Sequence, residues 1–208
     1  MVYKNLFLRV IISFLLFVTY LISLININFL LFFALLIYLL IFLEVYKFFN
    51  KYLLLTITYL SISFFCCFVY LYNYFDIYIF NLLIFTIIIF DSFSYFIGIF
   101  FGNIKIFKQI SPKKTLEGYL GGVIITNFIY FFYTYSYFDN ISNNNYILLI
   151  NFIIIFSIFG DLIQSFFKRK NNIKDSSNFL PGHGGFFDRF DSFISSIILL
   201  LAYTFIYL

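Results

Sequence analysis

The chain concentrates its ionisable side chains in one segment, between Gly160 and Asp191. Two of them, Asp161 and Asp188, belong to different helical patterns that could converge. The others are Lys168, Arg169, Lys170, Lys174, Asp175, His183, Arg189 and Asp191. Carboxylate oxygens suit Mg²⁺, which usually takes one or two carboxylates together with substrate phosphates. Since each ionisable group beside lipid costs about 2.5–3.5 kcal/mol, the cluster indicates a functional site.

The first part of this segment predicts a polar helix face. Asp161, Ser165 and Lys168 recur at helical spacing, so a carboxylate, a hydroxyl and an ammonium lie along one side of the helix. The alternative is a lysine that extends out of the membrane beside a helix-end carboxylate. The surrounding charged residues favour a site.

The middle part is a loop rich in Asn, Ser, Gly and Lys that ends in Pro181-Gly182-His183-Gly184-Gly185. Glycines let backbone N–H groups approach phosphate oxygens, and lysines add positive charge. The loop by itself could equally be a flexible turn with a solvated basic face.

A further helix is expected to start at Asp188. Asp188, Asp191, Ser192 and Ser195 then share one face. Asp188 and Asp161 would thereby approach each other from two helices.

Another acidic residue, Asp91, lies deep in an apolar run. A lone aspartate at such a depth should face protein or a water-filled cavity. Asp91, Tyr95, Gly98 and Gly102 share a helix face, and the glycines would admit close helix packing or a ligand.

The elements that position these residues are membrane helices. With 63% hydrophobic and 11% charged residues, the chain does not resemble a soluble domain, which carries about 25% charge. The apolar blocks fall at 6–24, 29–44, 52–72, 77–101, 118–138, 146–167 and 192–208. Each could cross a hydrocarbon core about 30 Å thick. We therefore expect an all-α polytopic integral membrane protein with about seven transmembrane helices. Residues 1–208 would form one membrane domain, with N-terminal helices in 1–76 and catalytic helices in 77–208.

The connections between the blocks differ in charge. In a seven-span arrangement the Lys and Arg residues fall on one side, and the opposite loops, near 26–28, 72–76 and 139–145, contain neither. The positive-inside rule then predicts that the N-terminus and the charged segment between Gly160 and Asp191 both face the cytoplasm.

The residues from Ser165 to Asp191, which we call the signature segment, resemble the sequence pattern of a known family. Its pattern is Ser165-x-Phe167-Lys168-Arg169, four residues, Lys174-Asp175-x-Ser177, two residues, Leu180-Pro181-x-His183-Gly184-Gly185-Phe186-x-Asp188-Arg189-Phe190-Asp191. This pattern resembles that of the phosphatidate cytidylyltransferase (CDP-diacylglycerol synthase) family. An earlier stretch also resembles the family, namely Asp91-x-x-x-Tyr95 followed by Gly98, Gly102 and Ser111-Pro112-x-Lys114-Thr115-x-Glu117-Gly118. Glu44 stands where the family places an acidic residue.

The resemblance implies transfer of the cytidylyl group of CTP to phosphatidic acid, which gives CDP-diacylglycerol and pyrophosphate. The implied catalytic residues are Asp161, Lys168, Asp188 and Arg189. The implied substrate-binding residues are Asp91, Tyr95, Ser111, Lys114, Thr115, Glu117, Arg169, Lys174, Asp175, His183, Gly184 and Gly185. Mg²⁺ is expected on Asp161 and Asp188, with a monovalent cation such as K⁺ near Ser165 and with Asp191 as a weaker ligand candidate. Because phosphatidate is already ionised at neutral pH, a structural or phosphate-contacting His183 is favoured over a general base.

The resemblance also implies a bacterial inner (plasma) membrane location, a cytoplasmic active site, no nucleic-acid partner and a possible homodimer. A transporter remains an alternative, because Asp91, Asp161 and Asp188 could line a permeation path. A polyprenol or dolichol kinase-like enzyme is the closer alternative, since it would share CTP and differ in the lipid acceptor.

Overall fold

The structure, a computed structural model, describes residues 2–107, 109–137, 143–180 and 184–207. In these ranges it is helical, and the strand-like pairings are the isolated bridges Lys105–Thr115 and Leu180–Gly184. The helices are α1 (Val2–Ser23), α2 (Ile27–Phe48), α3 (Leu53–Asn73), α4 (Ile77–Phe101), α5 (Leu116–Tyr137), α6 (Asn143–Lys170) and α7 (Phe187–Tyr207). The predicted all-α class is confirmed.

Helices α2 and α7 are among those that extend beyond their apolar blocks. α2 ends at Phe48, four residues after its block, and α7 begins at Phe187, which lies before its block and one residue before the start expected at Asp188. The added first turn of α7 is polar and contains Asp188. A carboxylate is favourable there because the first turn of a helix has unpaired N–H groups and the positive end of the helix dipole.

Five helical stretches among the described residues are long and apolar enough to cross a bilayer. They are Ile27–Phe48, Leu53–Asn73, Ile77–Phe101, Tyr146–Lys170 and Phe187–Ile206. Within α1 and α5 the apolar stretches are shorter, Phe14–Ser23 and Leu116–Phe132. The chain is thus a multi-pass membrane protein, and the crossing of the bilayer by α1 and α5 stays a prediction.

Helix α7 lies at the centre of the packing. It contacts α2, α3, α4 and α6, and its residues Ile194, Ile197 and Leu200 have no exposed surface. The Ser63 hydroxyl on α3 donates to the Ile194 carbonyl at 2.6 Å. The polar first turn of α7 is therefore attached to a helix whose core-facing side chains are completely buried.

Helices α4 and α5 pack closely through glycines. A Cβ atom on Gly118 would lie 2.6 Å from the Ser94 carbonyl oxygen, and one on Gly98 would lie 3.2 Å from Thr115 Oγ1. At Gly118 only a residue without a side chain permits this approach of the two helix backbones. The expected close packing is confirmed, and it fixes the loop 102–115 between the two helices.

Candidate active site

The Asp188 carboxylate is the centre of one polar cluster, which we call the Asp188 cluster. Its Oδ1 accepts from Lys168 Nζ and from Gln164 Nε2, both at 2.7 Å. Its Oδ2 accepts from the Ser176 amide at 2.8 Å, the Ser176 hydroxyl at 2.9 Å and the Gly185 amide at 3.1 Å. Gln164 and Lys168 are one helical turn apart on α6, so both reach the same oxygen. Asp188 thereby joins the end of α6, the signature loop 171–186 and the start of α7.

A second group, the Lys114 cluster, consists of Lys114, Asp161, Asp91 and Asp191. The ammonium of Lys114, from the loop before α5, forms an ion pair with Asp161 on α6. Burial lowers the pKa of Lys114 from its ordinary value, while the nearby carboxylates of Asp91 and Asp191 act in the opposite direction. Lys114 thus pairs with one carboxylate and is influenced by the charge of two more, and the three come from three different helices.

Serine hydroxyls hold Asp91 in place. Asp91 Oδ2 accepts from the Ser192 hydroxyl at 3.2 Å, and Asp91 Oδ1 accepts from the Ser157 hydroxyl at 3.4 Å. The Ser192 amide donates to Asp191 Oδ1 at 2.8 Å. Asp91 therefore faces protein, as its depth in the apolar run predicts.

The two clusters are neighbours. Lys168, which binds Asp188, also lies close enough to Lys114 to lower its pKa. Asp161 and Lys168 share a helix face as expected, but each has a different partner, Lys114 for the first and Asp188 for the second. The structure therefore contains two carboxylate–lysine pairs side by side, and the buried Ser165 lies on the same face of α6.

Backbone contacts join the two polar loops. Arg169 Nε donates to the Ile110 carbonyl at 3.1 Å, and its Nη1 donates to the Ile173 carbonyl at 3.4 Å. Glu117 accepts from the Ile104 amide at 3.1 Å, and the Thr115 hydroxyl accepts from the Gly118 amide at 3.2 Å. In this arrangement Arg169, Glu117 and Thr115 shape the loops that border the clusters.

The remaining predicted site residues are not ion-pair or hydrogen-bond partners in the two clusters, although a Cβ on Gly184 would lie 2.7 Å from Asp188 Oδ2. Lys174, Asp175 and Arg189 are exposed, and Ser111 is half-buried. Tyr95 is 63% exposed and lies against the ring of Phe96, so the structure does not bring it to the clusters. Gly184 has a φ of +82°, a backbone conformation that suits glycine. His183 falls outside the described residues.

The donor set fits a divalent cation at Asp161 better than at Asp188. At Asp161 a hard cation would have to displace one partner, the Lys114 ammonium, which has the carboxylates of Asp91 and Asp191 nearby. Both Asp188 oxygens already accept several protein hydrogen bonds, so a cation there would have to displace a donor. Among the described residues, no three His, Cys, Asp or Glu side chains form a ready metal-binding group.

Sequence reasoning missed Gln164 and Ser176 and gave Glu44 no structural role. Gln164 and Ser176 bind Asp188 directly. Glu44 on α2 has no exposed surface, and its Oε2 accepts from the Phe186 amide at 2.8 Å. Helical spacing from Lys168 could have identified Gln164. Nothing local in the sequence pairs Glu44 with residue 186.

Comparison with known proteins gives one family match and several relatives. The model of the cytidylyltransferase family matches residues 2–207. A phosphatidate cytidylyltransferase of Aquifex aeolicus is 46% identical over 113 residues, which are 54% of this chain and 42% of that protein. The enzyme of the same name from Bacillus subtilis is 41% identical over 104 residues, 50% of this chain and 39% of that protein. The one from Staphylococcus haemolyticus is 42% identical over 112 residues, 53% of this chain and 42% of that protein. The matched part thus spans about two fifths of each curated relative.

Proposed function

Because this chain belongs to the cytidylyltransferase family, we propose that it is a phosphatidate cytidylyltransferase. The reaction is CTP plus phosphatidic acid giving CDP-diacylglycerol and pyrophosphate. The observation that supports this most is the pair of adjacent clusters, Asp161 with Lys114 and Asp188 with Lys168. The clusters lie where the apolar helices α4, α6 and α7 meet the basic, glycine-rich signature loop. This location suits a reaction that joins a lipid phosphate to a nucleotide.

The chemical step is a substitution at phosphorus. A phosphatidate oxygen forms a bond to the α-phosphorus of CTP, and the bond between that phosphorus and the bridging oxygen to the β-phosphorus breaks. The electron pair of the broken bond leaves with pyrophosphate. Phosphatidate is already ionised at neutral pH, so alignment and charge compensation matter more than removal of a proton.

Basic side chains of the protein supply positive charge that can attract the phosphates of both substrates. Lys114 and Lys168 hold positive charge against carboxylates in partly buried positions, where charge interactions are stronger than in water. An arriving phosphate can exchange with these carboxylates as the partner of either ammonium. The exposed Lys174 and Arg189 add attraction for CTP at the rim. Together they reduce the repulsion between two anionic substrates.

Mg²⁺ is part of the proposal. Asp161 would hold it, with Asp188 or Asp191 as the second carboxylate and with Ser165 beside a monovalent cation such as K⁺. The metal would neutralise phosphate charge as it builds on the leaving pyrophosphate.

The proposed location is a bacterial plasma membrane with the clusters at the cytoplasmic face. Acyl chains of the lipid would stay in the bilayer while its phosphate meets cytosolic CTP. The positive-inside pattern of the basic loops supports this orientation. A homodimer remains a prediction.

The test is incorporation of labelled CTP into lipid by the purified full chain in detergent, with phosphatidate and Mg²⁺. We expect label in CDP-diacylglycerol, release of pyrophosphate, and a large decrease of both in Asp161→Asn and Asp188→Asn. Asp139→Asn, a carboxylate in a loop predicted on the opposite side, is the matched control and should retain activity. Transfer of the γ-phosphate to a polyprenol with release of CDP, followed with γ-labelled CTP, in place of cytidylyl transfer to phosphatidate would make the protein a kinase-like enzyme. No product with either acceptor from a folded preparation would overturn the proposal and favour transport.

A further inference from the structure

The carboxylate of Glu44 lies against the backbone that begins α7. Glu44 is one turn before the end of α2, is completely buried, and accepts from the Phe186 amide at 2.8 Å. Phe186 immediately precedes the first turn of α7, which carries Asp188. A carboxylate at this end of a helix satisfies an otherwise unpaired N–H group and opposes the positive end of the dipole.

The same backbone segment holds Asp188. The Gly185 amide donates to Asp188 Oδ2 at 3.1 Å, while the next amide, that of Phe186, donates to Glu44. Two consecutive N–H groups therefore bind carboxylates from α7 and from α2. A Cβ on Gly185 would overlap the Glu44 carboxylate and the Ser176 hydroxyl, and this hydroxyl also donates to Asp188. Glu44 thus packs directly against the groups that orient Asp188.

The start of the signature loop is fastened to the same region of the N-terminal helices. Asn171 Oδ1 accepts from the Asn50 and Lys51 amides at 2.8 and 2.7 Å. Asn171 Nδ2 donates to the Lys51 carbonyl at 3.0 Å and to the Phe167 carbonyl at 2.9 Å. One side-chain amide therefore uses both of its donors and its acceptor to join the end of α6 to the α2–α3 turn.

Aromatic contacts complete this attachment. The rings of Phe48 and Phe179 are 5.9 Å apart, and those of Phe49 and Phe187 are also 5.9 Å apart. The end of α2 therefore contacts the loop at its start, its middle and its end.

From these contacts we propose that Glu44 is a positioning residue for the site. It fixes the Gly185–Phe186 backbone, and through it the orientation of Asp188, so the N-terminal helices supply a necessary part of the catalytic arrangement. The kinetic part of this inference rests on the proposed cytidylyltransferase activity. The structural part does not.

The first experiment compares Glu44→Gln with Glu44→Leu in the purified full chain. Gln keeps an oxygen that can accept from the Phe186 amide, and Leu removes the acceptor. We expect Glu44→Leu to lower kcat about 10- to 100-fold, the effect of a displacement near 1 Å at a reacting centre, with a much smaller change in the KM for CTP. Glu44→Gln should retain most of the activity.

Ser63→Ala is the matched control. Ser63 is also a fully buried polar residue of the N-terminal helices that bonds to α7, but it does so at Ile194, away from the loop. It should lower thermal stability without lowering kcat. An equal loss of kcat in Ser63→Ala and Glu44→Leu would overturn the positioning role, because both would then act through general destabilisation.

The second experiment is hydrogen–deuterium exchange of the same variants without substrates. Glu44→Leu should speed exchange in peptides that cover 174–187 and leave those of α5 unchanged, whether or not the protein acts on CTP. Unchanged exchange at 174–187 would overturn the proposal. An inactive wild type with the expected exchange pattern would refute only the proposed function. If Glu44→Leu does not fold, Glu44→Ala provides the same test, because it also removes the acceptor of the Phe186 amide and adds no bulk.

Discussion

At the scale of single residues, the two carboxylate–lysine pairs differ in what they do for the fold. Asp188 and Lys168 have 11% and 13% of their side-chain surface exposed, while Asp161 and Lys114 have 17% and 29% exposed. Asp188 also accepts from two amides and a hydroxyl that shape the loop. Asp188 therefore stabilises the loop in addition to its proposed part in the reaction. Asp161 is the better candidate for a residue that serves mainly the reaction.

This difference predicts unequal stabilities for the two asparagine variants. Asp188→Asn should lower the free energy of unfolding by about 3 kcal/mol, because it leaves the Lys168 charge partly buried without its partner. Asp161→Asn should cost about 1 kcal/mol or less, because Lys114 keeps Asp91 and Asp191 nearby and is 29% exposed, against 13% for Lys168. Thermal unfolding in detergent without substrates measures both. Equal shifts in melting temperature would contradict the division of roles.

A second residue-level prediction concerns metal dependence. Chelation of divalent ions should abolish cytidylyl transfer, and added Mg²⁺ should restore it. Asp161→Asn should raise the Mg²⁺ concentration needed for half-maximal activity at least about tenfold, since a lost ligand weakens the site at least as much as a lost supporting group. Titration of the residual activity with Mg²⁺ measures this, with Asp139→Asn as the unaffected control. An unchanged Mg²⁺ requirement in Asp161→Asn would remove Asp161 from the metal site.

At the scale of elements, the approach of α4 and α5 positions the loop that carries Lys114. Gly118→Ala should reduce stability and the yield of folded protein, because its Cβ would meet the rigid Ser94 carbonyl at 2.6 Å. Gly98→Ala is the control, since its Cβ would meet only the Thr115 hydroxyl at 3.2 Å and Ala favours a helix over Gly. Yield and melting temperature distinguish the two. A Gly118→Ala protein as stable as the wild type would show that the helices are less closely packed than described.

The sequence predicts the helices and their faces well, because helical periodicity is a local property. It places Asp161, Ser165 and Lys168 on one side of α6 and starts α7 near Asp188, as observed. It does not predict that Glu44 meets Phe186, because periodicity carries no information about which distant segments touch.

The exact ends of the helices, and which polar side chains face protein, were less predictable than the helices themselves. The apolar block at 29–44 stops four residues before the end of α2 at Phe48, because Lys47 looks like part of a loop although a basic residue is favourable in the last turn of a helix. Likewise, spacing places Tyr95 on the stripe of Asp91, but only packing decides that Asp91 faces protein while Tyr95 is exposed.

At the scale of the whole molecule, the two polar loops must lie on the same side of the membrane, because Arg169 joins them. Single cysteines at Lys105 and Lys174, in a chain with Cys66 and Cys67 replaced by serine, should react with an impermeant thiol reagent from the same side of sealed vesicles. A cysteine at Asp139 should react from the opposite side. Labelling of all three positions from one side would contradict the seven-span arrangement.

The central place of α7 has a consequence for how the protein is made. The six other described helices precede α7 in the chain, so the ribosome delivers all of them to the membrane before the helix that contacts α2, α3, α4 and α6. Until then those helices lack a common packing partner, and the Lys168 ammonium lacks Asp188. Because α7 carries both the core-packing residues and Asp188, the helices gain their common packing partner and Lys168 gains its carboxylate at the same late step of translation. A nascent chain that stops before α7 has neither.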